Sequence, residues 1–183
     1  LDREIMSLRI RPEAAADREA SLEVERAAFG SDEEPRIVET VRDLEGSFAL
    51  VADEDGRVVG HIQFSCGRIG ETRVLALGPV GVLPGQQGHG VGSALIRTGL
   101  EEARTRGEVA VILLGSPVLY RRFGFAPGSV LGLQNPYAGV LPDGFKVAEE
   151  DFMLVVFEEV PLVGDVRWHP AFGEPVEGLG PGA

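Results

Sequence analysis

Apolar residues recur along this chain in two rhythms, one of period two and one near 3.6. Leu8 and Ile10 alternate with Arg9 and Arg11, which predicts a short strand closed by Pro12 and Glu13. Residues 16–29 predict a helix that starts near Asp17 and carries a partial stripe of Leu22, Ala27, Ala28 and Phe29. Gly30-Ser31-Asp32 closes it, and Pro35 suits the first turn of a second helix running to Leu44. Residues 48–52 predict a strand, Asp53-Glu54-Asp55-Gly56 a turn, and residues 58–66 the return strand, broken early at Gly60. A third strand is expected over 73–83. It contains Gly78 and Pro79, and proline cannot donate to a ladder, so a bulge is expected there.

The second half reads strand, helix, strand. A glycine-rich stretch leads into a helix ending at Arg106, with Leu95, Ile96, Gly99, Leu100 and Ala103 on its buried side and Gly107 as its cap. Residues 109–114 form an unbroken apolar run, the mark of a strand buried on both faces. Ser116-Pro117 opens a short helix through Tyr120 to Phe123. A last strand over 151–157 is expected to alternate around Met153, Val155 and Phe157. This order predicts an α+β fold, three layers (α/β/α) about a mixed sheet. One domain over residues 6–158 is expected. Residues 159–183 read as an extension in which Trp168-His169-Pro170-Ala171-Phe172 docks on the body and the end from Glu174 is disordered. Met6-Ser7-Leu8 reads as a natural beginning, with residues 1–5 as an addition.

The chemistry concentrates in Pro84-Gly85-Gln86-Gln87-Gly88-His89-Gly90-Val91-Gly92-Ser93. A glycine loop between a strand and a helix presents backbone N–H groups where the helix dipole favours an anion. A phosphate or pyrophosphate cradle follows. A P-loop would end in Gly-Lys-Ser/Thr, but Lys146 is the only lysine of the chain. A dinucleotide fingerprint needs G-x-G-x-x-G and a later carboxylate; the third glycine is replaced by Ser93, and Leu114 is followed by Gly115-Ser116. The remaining pattern, Gln/Arg-x-x-Gly-x-Gly/Ala, is met in full by Gln87-Gly88-His89-Gly90-Val91-Gly92.

Composition narrows the partners. The 183 residues carry a net charge of -12, which argues against a nucleic-acid partner and is compatible with steering of a cationic amine. No apolar run approaches a membrane span, and no secretory signal is read at the N-terminus. The single cysteine, Cys66, and three scattered histidines predict neither a disulfide nor a metal cluster and suit a reducing, cytoplasmic setting. Cys66 reads as a small core residue.

The Gln87–Gly92 motif resembles the pyrophosphate loop of the GNAT N-acetyltransferases, with glutamine where many members have arginine. Val80-Gly81-Val82-Leu83-Pro84 looks like that family's fourth strand, which carries a bulge and splays from the fifth. Leu113-Leu114-Gly115-Ser116-Pro117, Tyr120 and Arg122-Phe123-Gly124-Phe125 are similar to one branch of predicted N-acetyltransferases, as is the segment 166–172. The resemblance implies a mostly antiparallel mixed sheet and transfer of an acetyl group from acetyl-CoA directly to a primary amine, small or protein-borne, without a metal. It implies that backbone at Val80 and Val82 pairs with the pantetheine arm, with the Val80 N–H at the oxyanion. It also implies that Gln87, Gly88, His89, Gly90, Val91, Gly92 and Ser93 hold the pyrophosphate, and that Tyr120 protonates the leaving thiolate. Glu25, Glu39, Glu71 and His61 are base candidates by location alone, the carboxylates reading as surface groups and His61 as a satisfied strand histidine. His89 reads as solvent-facing, and His169 as a packing or cleft-lining residue. A non-catalytic acyl-CoA sensor is the alternative, and a homodimer is left open, with the tail as its interface.

Overall fold

The structure is a computed structural model that describes residues 7–140 and 144–173. The expectations for residues 1–5 and for the end from Glu174 lie outside the described residues. In chain order the strands are β1 (Leu8–Pro12), β2 (Phe48–Glu54), β3 (Arg57–Ile69), β4 (Thr72–Val82), β5 (Ala110–Leu114), β6 (Ala126–Pro127), β7 (Gly139–Val140), β8 (Lys146–Val147), β9 (Phe152–Val156) and β10 (Val166–Arg167). The helices are α1 (Arg18–Phe29), α2 (Glu33–Val41), α3 (Val91–Thr105) and α4 (Pro117–Tyr120), joined by short 3-10 turns. The sheet is mixed and mostly antiparallel, with β4 and β5 parallel. Two compact units interleave along the chain. One holds the described residues up to Ser65 plus Leu77–Glu102; the other holds Cys66–Ala76 and the described residues from Ala103 onward.

In the first unit β1, β2, β3 and β4 lie side by side. β1 is antiparallel to β2 from Leu8↔Glu54 to Pro12↔Leu50, and β2 to β3 from Phe48↔Phe64 to Glu54↔Arg57. Arg11 ties the edge down: Nε donates to Asp53 (2.9 Å), and Nη1 and Nη2 grip the Asp17 carboxylate (2.6 and 3.0 Å). Asp17 also accepts from the Ala14 N–H, so it shapes the turn ahead of α1. Helix α1 ends on Gly30, whose positive φ of 68° suits glycine.

Both faces of β3 are buried from Val58 to Ser65. One face, with Gly60, Ile62 and Phe64, lies against α3. A Cβ on Gly60 would come within 2.9 Å of Leu95 and 3.0 Å of Val91, and one on Gly99 within 2.4 Å of Phe64. Gly60 therefore does not break the strand, contrary to expectation; it lets the helix approach the sheet. The opposite face carries His61, Gln63 and Ser65 toward α1. This unit is itself a three-layer sandwich. Between β2 and β3 the register shifts at Ala52/Asp53.

Helix α1 departs from the expected stripe. Its buried residues are Ser21, Leu22, Val24 and Glu25, whereas Phe29 is 48% exposed. Helix α2 stops at Val41 rather than Leu44, after burying Pro35, Val38 and Val41 at helical spacing.

In the second unit β4 pairs with β5 in parallel at Leu75↔Val111 and Ala76↔Ile112; the Gly78–Pro79 peptide beyond is cis. β9 lies between β5 and β6, antiparallel to both, and β10 adds to the end of β3. The core gathers Ile69, Val74, Ile112, Phe152, Leu154 and Val166. Consecutive residues Phe152, Met153 and Leu154 are all buried, so the expected alternation is absent from β9. Trp168 packs edge-on to Tyr137 and Phe152 with ring centres 5.4 and 5.6 Å apart.

Candidate active site

The glycine loop is braced from both ends. The Leu83 N–H donates to Val59 (2.9 Å), and the Gln86 N–H turns back to Leu83 (2.8 Å). The Gln87 side-chain amide donates to the Val82 carbonyl (3.0 Å), so it shapes the loop it opens. Gly88 and Gly90 have φ of 78° and 85°, a region that disfavours side chains, and a Cβ on either would meet nothing within 4 Å. The backbone is thus exposed to whatever approaches. Ala94 donates to the Gly90 carbonyl (3.0 Å), the first helical bond of α3. The N–H groups of a first turn have no partner inside the helix. Gln87, Gly88, His89 and Gly90 are exposed, Gly92 and Ser93 are half-buried, and Val91 anchors the helix in the core.

Val80 and Val82 on β4 are half-buried, while Gly81 between them is buried and turned to α1. There Glu25 sits so close that a Cβ on Gly81 would lie 2.6 Å from Oε2. Glu25 Oε1 meets His61 Nδ1 at 2.6 Å, and both side chains are wholly buried. Glu13, from the segment after β1, brings a second carboxylate oxygen 3.7 Å from His61 Nε2. Burial pushes the Glu25 carboxyl above the ordinary carboxylate range, opposed by its bond to His61. Two of the four base candidates therefore meet in space, 36 residues apart in sequence. The reading of Glu25 as a surface carboxylate is overturned. Glu39 and Glu71 are exposed. Glu13 was not singled out from the sequence; nothing local marks it.

Tyr120 lies in the second unit, at the end of α4, and is 8% exposed. Its N–H donates to the Ser116 carbonyl (3.1 Å), and its ring packs edge-on to Phe125, the centres 5.9 Å apart. A Cβ on Gly115 would strike the ring at 2.4 Å, so glycine is needed where β5 gives way to α4. Burial raises the phenol's pKa and keeps it protonated at neutral pH. Cys66 is half-buried, and His169 Nδ1 accepts from the Ala171 N–H to cap a turn. Among the described residues no group of His, Cys, Asp and Glu could hold a metal ion, and no helix is long and apolar enough to cross a membrane.

The fourth strand of the mixed sheet feeds a braced glycine loop at the N-terminus of α3, within an α+β fold. The family model described as acetyltransferase (GNAT) domain matches residues 9–128, and the chain belongs to that family. It is 38% identical over 112 residues to the uncharacterized N-acetyltransferase YjhQ of Escherichia coli K12, and 36% identical over 105 residues to the uncharacterized N-acetyltransferase YhbS of the same strain. These alignments cover 57% and 55% of this chain and 62% of each relative's length. A GNAT family acetyltransferase from Brucella melitensis, solved in complex with acetyl-CoA, is 34% identical, with a TM-score of 0.72 over 91% of this chain and 99% of its own. E. coli YhbS in complex with CoA is 26% identical, with a TM-score of 0.81 over 95% of this chain and 96% of its own.

Proposed function

We propose that this protein is an acetyl-CoA-dependent N-acetyltransferase that transfers an acetyl group directly to a primary amine through a tetrahedral intermediate. The observation that carries the reading is the Gln87–Gly92 loop at the start of α3, in a chain that is 34% identical to a protein crystallised with acetyl-CoA. The open, positive-φ glycines Gly88 and Gly90 suit close approach of phosphate oxygens, whose charge backbone dipoles then meet. The backbone of Val80 and Val82 pairs with the pantetheine amides, and the Val80 N–H stabilises the oxyanion as the amine adds to the thioester carbon. The C–S bond then breaks, and Tyr120 supplies the proton that turns the leaving thiolate into a thiol.

The acceptor is a small-molecule amine or a protein amine. The acidity of the chain, with its net charge of -12, favours cationic acceptors. The single free cysteine fits a reducing, cytoplasmic setting.

The deciding experiment follows CoA release from acetyl-CoA across a panel of polyamines, aminoglycosides and lysine peptides. Turnover with at least one amine is expected. In parallel, acetyl-CoA at ~100-fold above its Kd should stabilise the fold by about 2.7 kcal/mol, with NADH and ATP far less effective. Stabilisation by acetyl-CoA without turnover of any amine would leave a sensor; equal stabilisation by NADH would sink the acyl-CoA assignment.

A further inference from the structure

The face of β3 turned to α1 is unusual chemistry for a core. His61, Gln63 and Ser65 are all wholly buried there, as are Ser21 and Glu25 one turn apart on α1. Buried polar atoms are nearly always hydrogen-bonded. Here His61 Nε2, Glu13 Oε1 and the Ser21 hydroxyl have no hydrogen-bond partner, and Glu25 has, beyond His61, only the backbone of Gly81 against its second oxygen. A fold gains no stability from carboxylates kept dry in this way, so the arrangement points to a task.

The geometry of that task is specific. His61 occupies one oxygen of Glu25 and leaves the other, Oε2, against Gly81. Gly81 lies between the two residues whose backbone is assigned above to the acyl donor. Resting on the acetyltransferase reading, we propose that Glu25 is the proton acceptor of the transfer and that His61 is its positioning residue. A lysine-like amine arrives as an ammonium and must lose a proton before it can attack. Glu25 Oε2 takes that proton, directly or through one water. The nitrogen lone pair then forms the C–N bond, the C–S bond breaks, and the acetylated nitrogen loses its second proton as the thiolate is protonated. Glu25 finally returns its proton to solvent, so one amine proton ends on sulfur and one in water.

The charged groups around Glu25 suit this role. His61 faces it from β3, Glu34 acts on it from α2, and Glu13 stands beyond the far ring nitrogen of His61. Burial, and after it the charge of Glu34, raise the proton affinity of Glu25, while His61 and the Gly81 backbone limit the rise. A carboxylate displaced upward in this way is a better base near neutral pH than an exposed one.

The test uses the full-length chain, acetyl-CoA and the panel amine that the wild type turns over fastest. Glu25→Gln should lower kcat by about 10²–10⁴-fold and remove the acid limb of the pH–rate profile, while calorimetry shows acetyl-CoA affinity unchanged. Glu25→Asp should recover part of the rate with the limb restored. Wild-type kcat and an unaltered acid limb in Glu25→Gln would overturn the assignment. Should Glu25→Gln fail to fold, His61→Gln decides: the rate should fall and the acid limb should move, with acetyl-CoA still raising the Tm, and an unmoved limb would overturn the proposal. Failure of the enzymatic reading itself looks different, because the wild type would then transfer acetyl to no amine, and the assignment of Glu25 would fall with it.

Discussion

Gly81 and Glu25 are packed so tightly that a single methyl group would not fit between them: a Cβ on Gly81 would lie 2.6 Å from Glu25 Oε2 and 3.0 Å from Cδ. Ala28 closes the other side at 3.2 Å. The carboxylate cannot simply swing away, because His61 holds its other oxygen at 2.6 Å. Gly81→Ala should therefore cost about 1–3 kcal/mol, the usual range for overpacking a core. Urea denaturation measures this. Glu25→Ala in the same chain should absorb much of the steric part, so the two changes together should cost less than their sum. Strict additivity would mean that the two residues do not meet.

The loop prediction separates charge from shape. Gly90 sits at φ 85° with open space around its absent side chain, so the fold tolerates a small residue there at the cost of backbone strain. If the loop cradles the donor's pyrophosphate as proposed, Gly90→Asp should abolish acetyl-CoA binding by placing a carboxylate in that cradle. Gly90→Asn, of nearly equal size and better suited to positive φ than most residues, should weaken binding much less. Calorimetry with acetyl-CoA reads both. Unchanged affinity in the aspartate variant would remove the loop from the donor site.

Acid should loosen the first unit through Asp17. The Arg11 guanidinium holds its carboxyl below the usual carboxylate range, and the bond from the Ala14 N–H adds to this. A depressed folded pKa means the folded state binds fewer protons than the unfolded one at acid pH. The contribution is full above the unfolded value of about 3.9 and is lost as pH falls through the lower folded value. Asp17→Asn should lower stability at pH 7 and flatten the fall of stability with acid. A variant with the wild-type acid slope would show that this pair does not drive it.

What was legible in the sequence was local. Gln87–Gly92 announced itself because the glycine spacing, the preceding strand and the following helix are contiguous. The buried side of α3 followed from period alone, and β5 from an unbroken apolar run. The misread positions are those whose environment is made by distant residues. Gly60 looks like a strand breaker until Leu95 and Val91 press on it from α3. Glu25 violates the apolar stripe of α1, and His61 and the Gly81 backbone, both on other elements, meet its carboxylate. Glu13 joins them by topology and carries no local mark. Helix α1 was phased on Phe29, which stays exposed, because alanines and glutamates leave its hydrophobic direction weakly defined.

The proposed acid role of Tyr120 can be tested by a change that spares structure. The phenol is buried, its ring packs against Phe125 and fills the space over Gly115, and burial keeps its proton on at neutral pH. Tyr120→Phe deletes the hydroxyl alone. Ring packing survives, so the Tm and the acetyl-CoA Kd should stay close to those of the wild type. The leaving thiolate, however, must then depart unprotonated or draw its proton from water. Loss of a general acid slows a reaction by about 10²–10⁴-fold. A thiol near the model cysteine value of about 8.5 leaves readily even as the anion, so the lower end of that range is expected. The acid should also set the alkaline side of the pH–rate profile, since a phenol that has ionised can no longer donate; in Tyr120→Phe that limb should vanish. Rates must be read on an amine that the wild type turns over, with acetyl-CoA saturating. A variant that keeps wild-type kcat and the alkaline limb would reduce Tyr120 to a packing residue and require another proton donor for the thiolate.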